Sequence, residues 1–337
     1  MRSIVCERPN VFKMTNEKAP SIRPGEALVR IKRIGICGTD LHAYKGNQPF
    51  FSYPRVLGHE LSGVIEEVEH NPEGLQAGDR VAIIPYLSCG NCHACRNGKT
   101  NCCTKVNVLG VHIDGGMREL VAVPTEQLMK TTSLSYDEAA LIEPLAIGAH
   151  AVNRAKPRRN EQVLVIGAGP IGLGVMLFAK EQGARVIAMD VNEERLEFCQ
   201  QWAKVDAVVH ALDNPLSELN DRLNDELPTI VFDATGNNDS MTEAFNYVAH
   251  GGKLVYVGLV NGMIQFDDPE FHKREMTLMA SRNATKEDFN YVIQVLETGS
   301  IQLDSYITHR CSFREMVEQF DSWLLPESKV IKVVVEL

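Results

Sequence analysis

The stretch from Gln162 to Gly174 constrains this chain more than any other, because it reads as a strand delivered straight into a glycine loop and then a helix. Val163 to Ile166 is a short aliphatic run, and Gly167-x-Gly169-x-x-Gly172 follows at once. In such a loop Gly167 supplies the tight turn, and Gly169 lets a pyrophosphate approach the backbone. Gly172 removes a side chain where helix must pack on strand. Pro170 suits a first helical turn, since its missing N–H would have had no intrahelical partner. The free N–H groups of Ile171 and Gly172, with the positive end of the helix dipole, then face an anion.

The surroundings extend the pattern. The helix is predicted to run to about Gln182, with Gly183 as its stop. The next strand begins at Arg185 and ends at Asp190. A carboxylate about 20 residues beyond the loop is placed to accept the ribose hydroxyls of an adenosine, and it would repel a 2′-phosphate. NAD is therefore expected over NADP. Strands near 163, 185, 207, 229, 254 and 276, most of them separated by helical stretches, predict a doubly wound parallel sheet of six strands. Residues 1 to about 145 have a different rhythm. They are β-rich, with strands suggested at Ala27 to Ile34, Gly63 to Val68, Arg80 to Ile84 and Leu120 to Val123. After about residue 286 two helical stretches, Thr285 to Leu296 and Phe313 to Leu325, precede a final strand from Val330 to Val335.

Composition narrows the possibilities further. With 337 residues, 44% hydrophobic and 23% charged, the chain has length for about two globular domains. A net charge of −10 and a pI near 5.5 argue against nucleic acid as a partner. The longest uncharged run, Gln162 to Ala179, is broken by Pro170 and by glycines, so no membrane span is expected. The N-terminus lacks the apolar core of a signal peptide. Together with nine cysteines, an odd number, this points to a reducing, cytoplasmic setting and to metal or free thiols.

Two groups of residues have the chemistry of metal ligands. Cys37, Asp40, His42, His59 and Glu60 lie in two short segments flanked by glycines. Zinc takes such a mixture of S, N and O donors and, with three protein ligands, keeps an open position. Each residue also has an ordinary reading as a buried thiol, a core histidine or a surface charge, and spacing alone does not choose. Glu143, ahead of an apolar helix, is either a ligand or a charge favoured by the helix dipole. The second group is clearer. Cys89, Cys92, Cys95 and Cys103 put four thiols within fifteen residues of a Gly- and Asn-rich segment, a spacing that lets one loop wrap a tetrahedral ion and close its coordination. Cys102 is read as a spare thiol.

In combination, Cys37 to His42, Leu57 to Glu60, Ala77 to Val81, the four-cysteine lobe and the glycine loop, in that order, resemble the zinc-containing medium-chain dehydrogenases over essentially the whole chain. The resemblance implies an α/β plus β architecture, in which a GroES-like β-rich catalytic domain (residues 1–146 and 287–337, zinc lobe about 86–106) is interrupted by a Rossmann domain (147–286). Two zinc ions per subunit are implied, one catalytic and one structural, together with NAD. The His59-Glu60 pair and the Glu143-Pro144 element are similar to the polyol dehydrogenase branch, which implies a catalytic ion on Cys37, His59 and Glu60 or Glu143. The segments Asn47 to Arg55, Asp268 to Lys273 and Ser281 to Thr285 are similar to those of L-galactonate and L-gulonate 5-dehydrogenases. A sugar acid or a polyol is thus the expected substrate, and an acid entering a protein of this charge needs a local cation. Arg55 and Arg282, with Asn283, are the candidates. Arg282 also matches a position used toward substrate hydroxyls in the sorbitol dehydrogenase branch. The resemblance places Arg195, Thr235, Gly258, Leu259 and Ser281 beside the cofactor, implies a dimer or tetramer, and makes Asp40 the acceptor that orients His59.

The mechanism expected is hydride transfer to nicotinamide from an alcohol whose hydroxyl is acidified by the metal. Thr39 takes the hydroxyl proton and passes it through the cofactor ribose to His42. Two alternatives stand beside it: a sorbitol or threonine-type dehydrogenase acting on a neutral or zwitterionic substrate, and a non-catalytic zinc protein that binds NAD.

Overall fold

The computed structural model describes residues 1–47 and 51–337. The chain divides into two compact units, Met1–Pro144 with Thr285–Leu337, and Leu145–Ala284. Each boundary falls two residues before the one drawn from the sequence.

The first unit is built on a seven-stranded sheet. Its long central strand, Glu26–Ile36, pairs antiparallel with Glu60–Val68 on one side and Lys332–Glu336 on the other, and Leu120–Pro124 pairs with its first half. Arg80–Ile83 and Leu128–Lys130 continue beyond Glu60–Val68. Ile307–Ser312 runs parallel to Lys332–Glu336 at the other edge. The C-terminal segment therefore completes the sheet begun near residue 26. Apolar side chains such as Val29, Ile31, Ile34, Leu61, Val81 and Val333 fill the core beneath it. The stretch 313–325 is less helical than expected: only Met316–Gln319 is α-helix, followed by a 3-10 turn over Phe320–Leu324. The reason is local. The Phe313 N–H donates to the Glu336 carbonyl and so belongs to the sheet edge, and the Ser312 and Glu315 side chains cap one another's backbone in a tight turn.

The second unit is a six-stranded parallel sheet. Its spatial order is Ala207–His210, Arg185–Asp190, Gln162–Ile166, Ile230–Asp233, Lys253–Tyr256, Thr277–Ala280. Numbered along the chain this is 3-2-1-4-5-6, the doubly wound order whose reversal lies beside the first strand. Residues 163–166 and 186–190 are wholly buried, as helices on both faces of a parallel sheet require. Among the described residues no helix is long and apolar enough to cross a membrane, and all nine cysteines are free.

Candidate functional site: two metal pockets and a nucleotide loop

The central strand ends at Ile36, and the next residue, Cys37, caps the helix Gly38–Lys45. Asp40, in the first turn, reaches back so that its Oδ2 accepts the Cys37 N–H at 3.0 Å. Its Oδ1 accepts the Gly58 N–H at 3.2 Å, so one buried carboxylate staples together two segments about twenty residues apart in sequence. His59 follows, its Nδ1 3.7 Å from Asp40 Oδ1, and Glu60 opens the next strand. Cys37, His59 and Glu60 each offer a ligand atom within 4.8 Å of the others.

The carboxylates nearby are held differently. Both oxygens of Glu60 accept from the Lys332 ammonium, at 2.7 and 2.8 Å, and neither side chain is more than 1% exposed. Glu143, in the first turn of Ile142–Ala155, accepts from the Tyr86 hydroxyl. Burial pushes the Glu143 carboxyl up to about 7; the His59 charge opposes this and the Glu60 charge adds to it. Burial alone would depress His59, yet the charges of Asp40 and Cys37 carry it well above its ordinary value.

Asp40, Glu60 and Glu143 are all buried around a thiol and an imidazole, and among the described residues Lys332 is the one buried lysine or arginine. With no further cation the pocket keeps protons instead, the Glu143 carboxyl and the His59 ring both being raised, and a bound divalent cation would take their place. A borderline-soft divalent metal fits the S, N and O donors present. His59 Nδ1 has no hydrogen-bond partner despite its burial, which leaves the ring dependent on the Asp40 charge for its orientation.

The four-thiol group is equally compact. Cys89, Cys92, Cys95 and Cys103 lie within 4.8 Å of one another, while Cys102 is exposed. The strand pair Tyr86–Leu87 and Asn107–Val108 closes the base of the lobe. Backbone N–H groups point at sulfur: Cys89 N–H to Cys103 Sγ at 3.3 Å, Cys95 N–H to Cys92 Sγ at 3.5 Å and Lys105 N–H to Cys103 Sγ at 3.3 Å. Donors from Cys95 and Thr104 lower the Cys92 thiol, whereas desolvation and the neighbouring thiols raise that of Cys95, so the crowded sulfurs share protons unevenly in the absence of an ion.

In the second unit the helix Pro170–Glu181 starts after Gly169, which offers no side-chain cap, so its first N–H groups are open to an anion. A Cβ on Gly172 would lie 1.8 Å from the Gly167 carbonyl oxygen, whereas one on Gly169 would meet nothing within 4 Å. The third glycine thus allows the loop to close, and the second leaves space above it. Asp190 ends the neighbouring strand with Oδ2 accepting the Ala168 N–H at 2.6 Å and Oδ1 accepting the Asn192 N–H at 2.9 Å. The loop and the acidic residue are therefore one hydrogen-bonded piece. Arg195 begins one turn further on, its N–H bonded to Asn192. Thr235 donates its hydroxyl to Asp233, and Gly258 packs so closely on Gly236 that a Cβ would come within 2.4 Å of its nitrogen. Leu259 is 71% exposed. The Ser281 N–H bonds to the Tyr256 carbonyl, leaving its buried hydroxyl without a partner.

The remaining candidates are spread over both units. Thr39 and His42 share a face of the helix Gly38–Lys45, Thr39 half-buried and His42 exposed. Arg55, in the first unit, sets one guanidinium nitrogen 2.9 Å from Ser52 Oγ and another 3.5 Å from Asp114. Of the segment 47–55 that carried part of the sugar-acid resemblance, residues 48–50 lie outside the described residues. Arg282 and Asn283 follow the last strand of the second unit, Asn283 with φ +53°. Sequence reasoning missed Lys332 and Tyr86. The one signal for Lys332 was a lysine heading a run of three valines, in a strand with too few polar positions to have a solvent face.

Residues 23–133 match the alcohol dehydrogenase GroES-like domain, and residues 170–298 match the zinc-binding dehydrogenase family. The chain belongs to the zinc-type alcohol dehydrogenases. It is an oxidoreductase of the medium-chain dehydrogenase kind, with zinc and a nicotinamide dinucleotide as cofactors. It is 44% identical to L-galactonate-5-dehydrogenase of Escherichia coli, covering 99% of this chain and 98% of that one. Identity to L-idonate 5-dehydrogenase of Vitis vinifera is 33%, over 90% of this chain and 86% of the relative. An alcohol dehydrogenase of Escherichia coli, solved as a complex with NADH, superposes with a TM-score of 0.93 at 33% identity over 100% and 99% of the two chains.

Proposed function

We propose that the protein oxidises a secondary hydroxyl of a sugar acid, in the manner of an L-galactonate or L-gulonate 5-dehydrogenase, with NAD as hydride acceptor. The observation that carries the reading is the close meeting of half-buried Cys37 with buried His59 and Glu60 in a chain that is similar end to end to L-galactonate-5-dehydrogenase. A zinc ion on these residues supplies a Lewis acid that lowers the pKa of a substrate hydroxyl, and the nicotinamide supplies the acceptor.

The chain's own residues have the following parts. Cys37 and His59 hold the ion, with a carboxylate from Glu143 or Glu60, and Asp40 fixes the imidazole. Thr39 would take the substrate proton only as its own hydroxyl proton is passed on, and His42, exposed one turn later, would exchange a proton with water. The open helix end after Gly169 takes the pyrophosphate, and Asp190 takes the adenosine ribose and disfavours a 2′-phosphate. Arg55 and Arg282 with Asn283 address the substrate, a carboxylate on it competing with Asp114 for Arg55. Cys89, Cys92, Cys95 and Cys103 hold a second zinc ion that has no open position. A cytoplasmic dimer or tetramer completes the proposal.

The test is a rate panel on galactonate, gulonate, sorbitol, xylitol and threonine, with NAD and NADP side by side and chelator controls. Sugar acids with NAD are expected to lead by at least tenfold in kcat/KM, about 1.4 kcal/mol of transition-state discrimination. Equal rates on the neutral polyols would remove the sugar-acid reading, and bound NAD without any alcohol-dependent absorbance would remove the enzyme.

A further inference from the structure

The turn that follows Asp190 is held from a neighbouring strand. Asp190 ends Arg185–Asp190 and is registered against His210, the last residue of the parallel strand Ala207–His210. Beyond that pair the two chains share one more backbone bond, from the Ala211 N–H to the Asp190 carbonyl at 3.0 Å. The next carbonyl, that of Val191, lies past the end of the ladder. There the His210 ring stands in for a strand partner, with Nε2 2.9 Å from the Val191 oxygen. A carbonyl only accepts, so Nε2 carries the proton. Nδ1 is buried and makes no hydrogen bond, although the exposed Asp213 carboxylate stands 3.3 Å away. Among the described residues the ring therefore has one hydrogen-bonded anchor, and that anchor is on the turn.

We infer that His210 is a positioning residue for the nucleotide: through the Val191 carbonyl it fixes the turn 190–192, and with it the direction in which Asp190 meets the adenosine ribose. The inference rests on the reading of Asp190 as the carboxylate that takes that ribose. Its physical basis is how little else restrains the turn. Both Asp190 oxygens accept from backbone N–H groups, Oδ2 from Ala168 in the glycine loop and Oδ1 from Asn192 in the turn itself, so a shift of residues 191 and 192 pulls on the carboxylate directly. Val191 is 59% exposed and is not held by core packing. The His210 side chain is itself 23% exposed, so removing it opens no closed cavity and acts chiefly through the lost hydrogen bond. A binding group has to sit within about 0.5 Å of its productive place, a tolerance that a turn freed at one carbonyl exceeds.

The experiment measures dissociation constants of AMP and of NAD by calorimetry on the full, zinc-loaded chain, with KM for NAD and kcat beside them. AMP carries the ribose that Asp190 addresses and lacks the nicotinamide half, so it reports on this end of the site alone. H210A is expected to weaken AMP and NAD by the same factor, about fivefold, and to raise KM for NAD without lowering kcat. H210Q sets an amide N–H where Nε2 stood and is expected to restore both constants to within about twofold of wild type. The shorter amide of H210N does not reach Val191, and this variant is expected to match H210A. Where H210A is not recovered folded, the glutamine and asparagine variants decide. Wild-type affinity for AMP and NAD in H210A and H210N, or equal losses in H210Q and H210N, would overturn the inference and leave the nucleotide site standing. D190N tests the reading beneath it and is expected to lower AMP affinity about tenfold. Wild-type AMP binding in D190N would remove Asp190 from the ribose, and the inference with it.

Discussion

Replacing Asp40 by asparagine separates the metal site's geometry from the fold's stability. The carboxylate accepts two backbone N–H groups, from Cys37 and Gly58, and stands 3.7 Å from His59 Nδ1. Asparagine keeps one acceptor oxygen and turns an NH2 toward the other donor, so one charge-assisted hydrogen bond worth about 1.5–3 kcal/mol is lost. For folding, a second term opposes this loss. Burial raises the Asp40 pKa despite the His59 charge and the two N–H donors, so the ionised group is held against a desolvation penalty that asparagine does not carry. The net change in the metal-free protein is expected to be about 1 kcal/mol, a midpoint shift in urea of less than about 1 M. For metal binding the losses act together, because the two ligand segments are no longer stapled and the imidazole loses its negative neighbour. Affinity is expected to fall about 10–100-fold, or about 1.4–2.7 kcal/mol. The assay pairs chelator competition with urea unfolding of the metal-free protein. Wild-type metal affinity in D40N, with His59→Ala abolishing it, would refute the stapling argument.

Three further outcomes follow from particular contacts. Gly172→Ala sets a methyl 1.8 Å from the Gly167 carbonyl and should weaken NAD binding at least tenfold, with about 1–3 kcal/mol of destabilisation from overpacking, both measurable by calorimetry. Burial would raise the Glu119 pKa, but the Arg2 N–H and guanidinium outweigh it and hold it below its ordinary 4.5. Arg2→Met should therefore cost about 0.5–1 kcal/mol, discounted for partial exposure, a difference present in full above pH 4.5 and lost as pH falls through the depressed value, read from urea midpoints across pH. Cys92→Ser should leave three thiols, release one metal ion per chain by mass spectrometry and leave the Cys37 metal in place, since the four-thiol group is a separate cluster.

The parts legible in the sequence were those whose signals are local. A strand, three glycines, a helix with Pro170 at its start and an acid at the next strand's end are consecutive, so a doubly wound parallel sheet of six strands could be read in advance, though not its strand order. Four cysteines within fifteen residues need only a local loop to come together, and they do. Long-range pairings were not legible. Lys332 meets Glu60 from 272 residues away, through a gap that exists because Gly35 lies between their strands, and no local pattern announces that register. Arg55 was chosen as a local cation near the motifs, and its neighbour Asp114, 59 positions distant, could not be foreseen. The stretch 313–325 has a helical pattern, but the sheet edge claims the Phe313 backbone and shortens the helix.

The central claim is that metal held by Cys37 and His59 activates the alcohol, while the glycine loop of the other unit holds the nucleotide on its own. Replacing His59 by alanine and measuring, on one preparation, both NAD binding by calorimetry and sugar-acid-dependent absorbance at about 340 nm tests it most directly. The account predicts an NAD Kd within about twofold of wild type and turnover lowered by at least about a thousandfold. Turnover near the wild-type rate, or loss of NAD binding together with activity, would contradict it.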